Sequence, residues 1–217
     1  MKLVTVGDSF TYGEELADRT SAWPQQLANR LNYELLNLGQ PSASNDKILR
    51  KTLDYLTFDT ADLVIVGWSN IGRSEHADEF GYYDVWPGYQ GNLFKQDGCT
   101  WRNDLVDYVS RYHNSDAIHR KFIQQVILLQ SYFKSRGIRY IMLNIVQNEY
   151  YKKRLFEGHQ KYFEQVDTEQ FLGFNESGMM EWTYGCVQGS GGHFLEQGHQ
   201  IVANRIYEHI GNLGWLS

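Results

Sequence analysis

Short runs of consecutive apolar residues recur along the chain and predict β-strands. The four clearest runs end at or near Gly, Asp or Asn, and they are Leu3–Val6, Glu34–Leu38, Leu63–Val66 and Tyr140–Val146. Apolar residues on successive positions, rather than on alternate ones, are typical of strands that are buried on both faces of a parallel sheet. The pattern therefore predicts a mainly parallel central sheet.

Helical periodicity occupies the segments between these strands. Ser21 is expected to cap the first helix, whose first turn tolerates Pro24. Apolar stripes with spacings of three and four residues mark four helices: Trp23, Leu27 and Leu31; Ile48, Leu49, Leu53 and Leu56; Ile118, Phe122, Val126, Leu129 and Phe133, ending before Gly137; and Leu195, Val202, Ile206 and Ile210. Strands that alternate with helices favour a doubly wound α/β fold, and 217 residues fit one domain over 1–217.

Two regions interrupt the alternation of strands and helices. Residues 72–113 and 147–192 are rich in Tyr and Trp and show no regular period. Long irregular segments in a small domain are usually binding loops or lids, so we expect these two regions to be insertions that contact a ligand.

Composition and charge exclude several classes of partner. The net charge is −6 and no cluster of Lys and Arg is present, which argues against a nucleic-acid partner. No run reaches the roughly 18 apolar residues of a membrane span. Cys99 and Cys186 are too few for a disulfide framework, and the start Met1-Lys2 leads into a strand rather than an apolar leader. We expect a cytoplasmic protein that does not bind membranes.

The stretch GDSFTYG, residues 7 to 13, follows the first predicted strand directly. It places Ser9 on the loop that leaves the carboxyl end of a strand, where open α/β sheets bind ligands. Three further short motifs lie at strand ends or at the start of a helix. Asn37-Leu38-Gly39 closes the second strand, Gly67-Trp68-Ser69-Asn70 closes the third, and His193 and His199 flank the start of the last helix.

Taken in this order, the four groups resemble the signature blocks of the SGNH (GDSL-type) hydrolase superfamily, including its Gly-Asp-Ser-x-x-x-Gly motif and a His-x5-His spacing. The resemblance implies a flavodoxin-like three-layer α/β/α sandwich with a mainly parallel central sheet. It implies that Ser9 is the nucleophile and His193 the general base. It also assigns the oxyanion hole to the backbone N–H groups of Ser9 and Gly39 and the side-chain amide of Asn70.

The chemistry explains why these residue types are needed. A serine hydroxyl is a poor nucleophile until a neighbouring base takes its proton, and histidine, with a pKa near 6.5, suits that role at neutral pH. The tetrahedral intermediate carries a negative oxygen, and loss of one N–H donor to it typically costs about 100- to 1000-fold in rate. Glycine at position 39 is expected to let the backbone approach the substrate.

The last block departs from the family pattern, because Ser190 occupies the position where the family has an Asp three residues before the catalytic histidine. Three alternatives remain open. In the first, the enzyme works as a Ser9–His193 dyad, with a backbone carbonyl orienting the ring. In the second, an acid reaches in from the preceding region, and the candidates are Asp167, Glu169, Glu176 and Glu181. In the third, the site is weak or inactive. The second and third blocks also depart, with Ser42-Ala43-Ser44 and Trp68-Ser69-Asn70.

Other residues near these blocks receive weaker assignments. Asp8 is expected to brace the turn, with a substrate contact as the alternative. Trp68 and Arg73 are candidate substrate-binding residues, and Arg73 would hold an anionic group. His199 is expected to face the interior and to hydrogen-bond a neighbouring loop. The remaining histidines show no metal-ligand spacing, so we expect neither a metal nor a cofactor.

The leading functional hypothesis is a serine esterase that removes a small acyl group. The many aromatic residues of the irregular regions favour an acylated sugar, so a carbohydrate O-acetyl esterase is the first choice of substrate class. A lipid or thioester substrate is the second. The alternative class is a non-catalytic binding or structural module that keeps the fold, which the departure at Ser190 favours.

Overall fold

A five-stranded parallel sheet forms the centre of the protein. The computed structural model describes residues 1–79, 81–86, 101–111, 115–146 and 160–216. The sheet strands are β1 (Lys2–Val6), β2 (Glu34–Asn37), β3 (Leu63–Trp68), β6 (Arg139–Asn144) and β7 (Phe171–Leu172). Their order is β2-β1-β3-β6-β7, with every neighbouring pair parallel. A separate antiparallel hairpin joins β4 (Ser74–Asp78) to β5 (Gly81–Val85).

Helices cover both faces of this sheet. In chain order they are α1 (Ser9–Tyr12), α2 (Trp23–Leu31), α3 (Asn45–Phe58), α4 (Trp101–Arg111), α5 (Ser115–Arg136), α6 (Gln160–Phe163), α7 (Met179–Trp182) and α8 (Glu196–Asn212). Apolar residues of α3 and α5 pack on one face of the sheet, and those of α2 and α8 pack on the other. The layers therefore form an α/β/α sandwich, as the sequence predicts.

Strand β3 shows why the sandwich forms. All six of its residues are buried. Val64 and Val66 point into the core shared with α3 and α5, whereas Leu63 and Ile65 point into the core shared with α2 and α8. A strand with an apolar side chain on both faces needs a helical layer on each side, which explains its continuous apolar sequence.

The four predicted strands are present, with ends that differ by one or two residues from the predicted ones. The capping prediction for α2 is wrong, because Ala22 is the N-cap and supplies no side-chain hydrogen bond. Pro24 lies in the first turn, as expected. Ser21 instead accepts a hydrogen bond at its carbonyl from the side chain of Gln26, 2.6 Å away.

The two regions predicted to be irregular contain regular elements. The β4–β5 hairpin and α4 lie within 72–113, and α6, β7 and α7 lie within 147–192. These elements are short or polar, so their periodicity is weak in the sequence. Residues 87–100 and 147–159, which carry part of the aromatic content, lie outside the described residues. Within the described ranges, no helix is long and apolar enough to cross a membrane.

His199 anchors the start of α8 to the start of α2. Its side chain is 1% exposed, and its Nδ1 atom accepts a hydrogen bond of 3.1 Å from the backbone N–H of Trp23. The expectation that His199 faces the interior is confirmed, but its partner is the first residue of a helix and not a loop. Because Nδ1 accepts, the ring is neutral with its proton on Nε2. Burial lowers the pKa of His199 to about 4.

This buried histidine predicts a loss of stability in acid. Between pH 6.5 and 4 the unfolded chain binds a proton that the folded protein does not, so the free energy of unfolding falls as the pH falls. For this group alone the loss is on the order of 3 kcal/mol at pH 4. In His199→Asn, whose amide oxygen can replace Nδ1 as acceptor, denaturant unfolding should show a shallower dependence on pH across that window.

His209, which is partly exposed on the same helix, provides the matched control. His209→Asn removes a histidine from the same helix without touching the buried contact between His199 and Trp23. Equal slopes for wild type and His199→Asn would show that the buried ring does not govern acid stability.

Candidate active site

The turn after β1 holds Ser9 at the first position of a one-turn helix. Asp8 is the N-cap, and its Oδ1 accepts a hydrogen bond of 3.0 Å from the N–H of Phe10. Gly7 is required here, because a Cβ at this position would lie 2.1 Å from Oγ1 of Thr11. Gly13 ends the helix in the left-handed conformation, at φ 85°. As the first residue of α1, Ser9 has a backbone N–H without a partner inside the helix.

The hydroxyl of Ser9 meets the imidazole of His193. The distance from Ser9 Oγ to His193 Nε2 is 2.8 Å, which is a normal hydrogen bond between residues from opposite ends of the chain. His193 lies just before α8, and its ring packs against Phe10 with 4.7 Å between ring centroids. The structure therefore brings the predicted nucleophile and base together in the geometry that general-base catalysis requires.

The other ring nitrogen of His193 contacts Glu15, a residue outside the four candidate acids. Glu15 Oε2 lies 2.8 Å from His193 Nδ1. The ring is thus held by a carboxylate. This contact contradicts two of the three open alternatives, the dyad with a backbone carbonyl and the acid from the region just before His193. Of the four candidate acids, Asp167 pairs with Lys134 and Tyr140, and Glu181 accepts the N–H of Gly178.

Glu15 could have been found from the sequence only by its place in the first block, shortly after Ser9. The carboxylate also accepts hydrogen bonds from the N–H of Gly191 at 2.7 Å, the hydroxyl of Ser190 at 3.1 Å and the N–H of His193 at 3.2 Å. These donors, with the N–H of Gly191 first, lower the pKa of Glu15 to about 2. The group is therefore ionised throughout the neutral range.

A second carboxylate lies on the open side of the imidazole. Glu14 Oε2 is 3.7 Å from His193 Nε2, beyond hydrogen-bond distance, and the Glu14 side chain is 40% exposed. It therefore places negative charge at the edge of the site without binding the ring.

Two of the predicted oxyanion donors, Asn70 and Gly39, differ in whether their N–H groups already donate a hydrogen bond within the protein. Asn70 is exposed, and its Oδ1 accepts a hydrogen bond of 2.8 Å from the N–H of Gly72. That contact orients the amide, whose NH2 group donates to no residue in the described part of the chain. Gly39 is different, because its N–H already donates to Oδ1 of Asn37 at 2.9 Å.

Gly39 is needed for packing. A Cβ at this position would lie 2.7 Å from the backbone N of Tyr12, so only glycine lets the loop after β2 pack against α1. That this glycine also lets the backbone approach the substrate stays a prediction. Asn37, a second residue that the sequence analysis left without a role, holds this contact. Its NH2 group donates to the carbonyl of Thr11 at 2.8 Å, and its Oδ1 accepts from Oγ1 of Thr5 at 3.1 Å.

Asp8 braces the site from beneath. Its Oδ2 accepts hydrogen bonds from Oγ of Ser69 at 2.7 Å and from Nη1 of Arg73 at 3.2 Å. Burial raises the pKa of Asp8, and the positive charge of Arg73 is the largest effect that opposes the rise. Both carboxylate oxygens are thus committed to the protein, in accordance with the bracing role.

Two candidate substrate residues have other partners. Trp68 is fully buried in the core against α5, with its ring 5.7 Å from that of Phe122, so its assignment to substrate binding is wrong. Arg73 pairs with Asp8 and donates to Oγ of Ser69 at 3.0 Å. Its charge thus pairs with a buried carboxylate, and its binding of an anionic ligand stays a prediction.

A family model described as a family of unknown function (DUF6071) matches residues 9–216. The chain belongs to this family. A search of the curated proteins found no match to its sequence. The match to the DUF6071 model begins at Ser9, within the first block, and covers the other three blocks.

Solved structures confirm the fold of this DUF6071 chain. TesA aligns with a TM-score of 0.60 and 16% identity, covering 98% of this chain and 99% of its own. A member of the lipolytic protein G-D-S-L family from Veillonella parvula aligns at 0.50 and 13%, covering 96% and 97%. The acetyl xylan esterase Est2A from Butyrivibrio proteoclasticus aligns at 0.53 and 14%, covering 100% and 64%. The predicted resemblance is confirmed: the chain has the SGNH hydrolase fold.

The pairing of Arg73 with Asp8 predicts a stability effect. Arg73→Met leaves a buried carboxylate without its cation, so the free energy of unfolding should fall by about 2 to 3 kcal/mol, less than for a fully buried pair because Arg73 is partly exposed. Denaturant titration measures the loss. In the double variant Asp8→Asn/Arg73→Met the loss should be smaller, since no charge is left unpaired.

A different result would support the substrate role of Arg73. Full stability in Arg73→Met, together with a raised KM for a negatively charged ester and an unchanged KM for a neutral one, would contradict the bracing assignment.

Proposed function

We propose that the protein is a serine esterase that hydrolyses small acyl esters through an acyl-enzyme. The observation that supports this most directly is the 2.8 Å contact between Ser9 Oγ and His193 Nε2 at the carboxyl edge of the sheet. An alcohol hydrogen-bonded to an imidazole is the arrangement that activates serine as a nucleophile. The esterase structures that share the fold are consistent with this proposal.

In the first half of the reaction, Ser9 Oγ attacks the carbonyl carbon of the ester and His193 Nε2 takes the hydroxyl proton. The carbonyl oxygen gains negative charge in the tetrahedral intermediate. The N–H of Ser9 and the NH2 group of Asn70 are the donors proposed to stabilise it. His193 then gives the proton to the alcohol oxygen, the C–O bond breaks, and the alcohol leaves.

In the second half, water replaces the alcohol. His193 Nε2 takes a proton from the water as its oxygen attacks the acyl carbon, and a second tetrahedral intermediate forms at the same donors. When it collapses, the proton returns to Ser9 Oγ and the carboxylic acid is released. The protein thus returns to its starting state.

A neutral acylated sugar is the substrate class that the charges favour. The exposed carboxylate of Glu14, close to His193 Nε2, disfavours an anionic group beside the scissile bond. Arg73 is paired with Asp8, and the chain has a net charge of −6. These features argue against the strongly anionic leaving groups of many thioesters and support a carbohydrate O-acetyl esterase.

The non-catalytic alternative loses its main support. It depended on the missing acid at Ser190, but the carboxylate of Glu15 contacts the ring nitrogen that such an acid would hold. A serine, an imidazole and a carboxylate in hydrogen-bonded series favour chemistry over a vestigial site.

The nucleophile assignment predicts the behaviour of Ser9→Ala. This variant should lose hydrolysis of p-nitrophenyl acetate and labelling by a fluorophosphonate probe, because both need an activated serine. Its thermal midpoint should change little, since only one hydroxyl is removed. Ser131→Ala removes an exposed hydroxyl on α5 and should keep both activities. Undiminished labelling of Ser9→Ala would refute the assignment.

The oxyanion assignment predicts that the amide of Asn70 acts in the transition state. Asn70→Ala should lower kcat for a neutral acetyl ester by about 100-fold or more, with a smaller change in KM. Asn70→Asp keeps the Oδ1 acceptor for Gly72 but loses the donor, so it should be at least as impaired. If the Asp variant keeps full activity, Asn70 shapes the loop and does not stabilise the oxyanion.

A further inference from the structure

The glycine-rich loop before α8 is shaped around the carboxylate of Glu15. A Cβ at Gly189 would lie 2.6 Å from Oε1 of Glu15, and a Cβ at Gly191 would lie 3.0 Å from Oε2. An alanine at either position would push the Glu15 carboxylate away, so both glycines are necessary for the present position of that carboxylate. The sequence Gly-Ser-Gly-Gly therefore makes a site for an anion that belongs to the protein itself.

Hydrogen bonds close this loop around the carboxylate. The N–H of Gly189 donates to the carbonyl of His193 at 2.8 Å, and Gly192 turns the chain at φ 85°. The N–H groups of Gly191 and His193 are thereby aimed at Glu15. The donors are fixed by the loop and do not have to reorganise when the charge on His193 changes.

The backbone at Glu15 is also unusual. Its φ is 66°, in the left-handed region that residues with a Cβ seldom adopt. Such conformations persist where surrounding contacts determine them, and they concentrate at functional sites. Here the contacts that hold the residue are those of its own carboxylate with the loop.

We infer that Glu15 is the positioning acid of the catalytic histidine, supplied by the segment after α1 in place of the Asp that the family carries at position 190. The inference rests on the proposed function. The carboxylate holds the proton on His193 Nδ1, which leaves the lone pair of Nε2 directed at Ser9 Oγ. It then stabilises the imidazolium that forms when Nε2 takes the serine proton.

The side chain at position 190 has a different role here from that of the Asp which the family carries at this position. The hydroxyl of Ser190 donates to Oε1 of Glu15 at 3.1 Å, so the side chain at the family's acid position now binds the acid that replaces it. An Asp at position 190 would place a second carboxylate beside the first. We therefore expect a carboxylate at either position to support activity, and carboxylates at both positions to give no further gain.

The other charged groups around the ring do not compete for this role. Glu14 lies on the Nε2 side at 3.7 Å, and Asp8 is bound by Ser69 and Arg73. His199 uses its Nδ1 for the N–H of Trp23. Among the described residues, Glu15 supplies the carboxylate that contacts Nδ1.

Glu15→Gln is the first test. It should lower kcat for p-nitrophenyl acetate by about 10³- to 10⁴-fold, because an amide does not fix the tautomer or stabilise the imidazolium. Glu15→Asp keeps the charge on a shorter side chain and should be intermediate. Glu208→Gln removes an exposed carboxylate on α8 and should match wild type. Activity of Glu15→Gln within tenfold of wild type would overturn the inference.

Ser190→Asp provides a test that a merely structural role would not pass. In the wild-type background it should lower kcat, since two carboxylates repel. In the Glu15→Gln background it should raise kcat by at least tenfold, because it returns a carboxylate to the position of the family's acid. The same direction of change in both backgrounds would overturn the inference.

A spectroscopic readout separates this inference from the proposed function. The ¹⁵N shifts of the His193 ring in uncomplexed protein report which nitrogen carries the proton. Wild type at neutral pH should show a protonated Nδ1, and Glu15→Gln should show a mixture of tautomers. An inactive wild type with this tautomer change would refute the esterase proposal alone, whereas an unchanged ring spectrum in Glu15→Gln would refute the role of Glu15.

Discussion

The geometry of the site depends on the hydrogen bonds and the ion pair of one buried carboxylate, that of Asp8. It lies at the end of β1, caps the helix that presents Ser9, and accepts hydrogen bonds from Ser69 and Arg73 after β3. Ser69 is held in turn by Asn45, whose side chain accepts its N–H at 2.8 Å and donates to its carbonyl at 3.1 Å. A charge this deeply buried is tolerated only when it is paired, so it fixes two neighbouring strand ends together.

This constraint places the reactive groups on a rigid base. The short segment from Gly7 to Glu15 supplies the proposed nucleophile and the carboxylate that holds the histidine. The loop before α8 supplies His193 and the donors that surround Glu15. The contact of His199 with Trp23 anchors α8 to α2. Buried contacts therefore hold both parts of the site, those of Asp8 on the segment from Gly7 to Glu15 and that of His199 on the loop before α8. Positioning of this kind is what general-base catalysis requires.

Much of the fold could be predicted from local pattern. The runs at Leu3–Val6 and Leu63–Val66 are apolar on consecutive positions because both faces of those strands are covered, and the sheet confirms this reading. The hairpin of β4 and β5 has no clear signal in the sequence because its strands are polar and mostly only partly buried. Trp68 was assigned to substrate from its place in a motif, whereas its burial depends on α5, a helix distant in sequence.

The sequence by itself determined the alternation of strands and helices and the strand ends where chemistry is expected, because periodicity and short motifs are local. The sandwich and the pairing of Ser9 with His193 are expected from the resemblance to the SGNH family. Only the tertiary structure decided that Glu15 holds the histidine, that Asn37 occupies the N–H of Gly39, and that Arg73 neutralises Asp8. Glu15 and His193 are far apart along the chain, as are Arg73 and Asp8, whereas Asn37 and Gly39 are two residues apart. In each case a carboxylate or an amide has no local signature that states which group it will meet. The glycines at 189 and 191 are visible in the sequence, but the anion they accommodate comes from the other end of the chain.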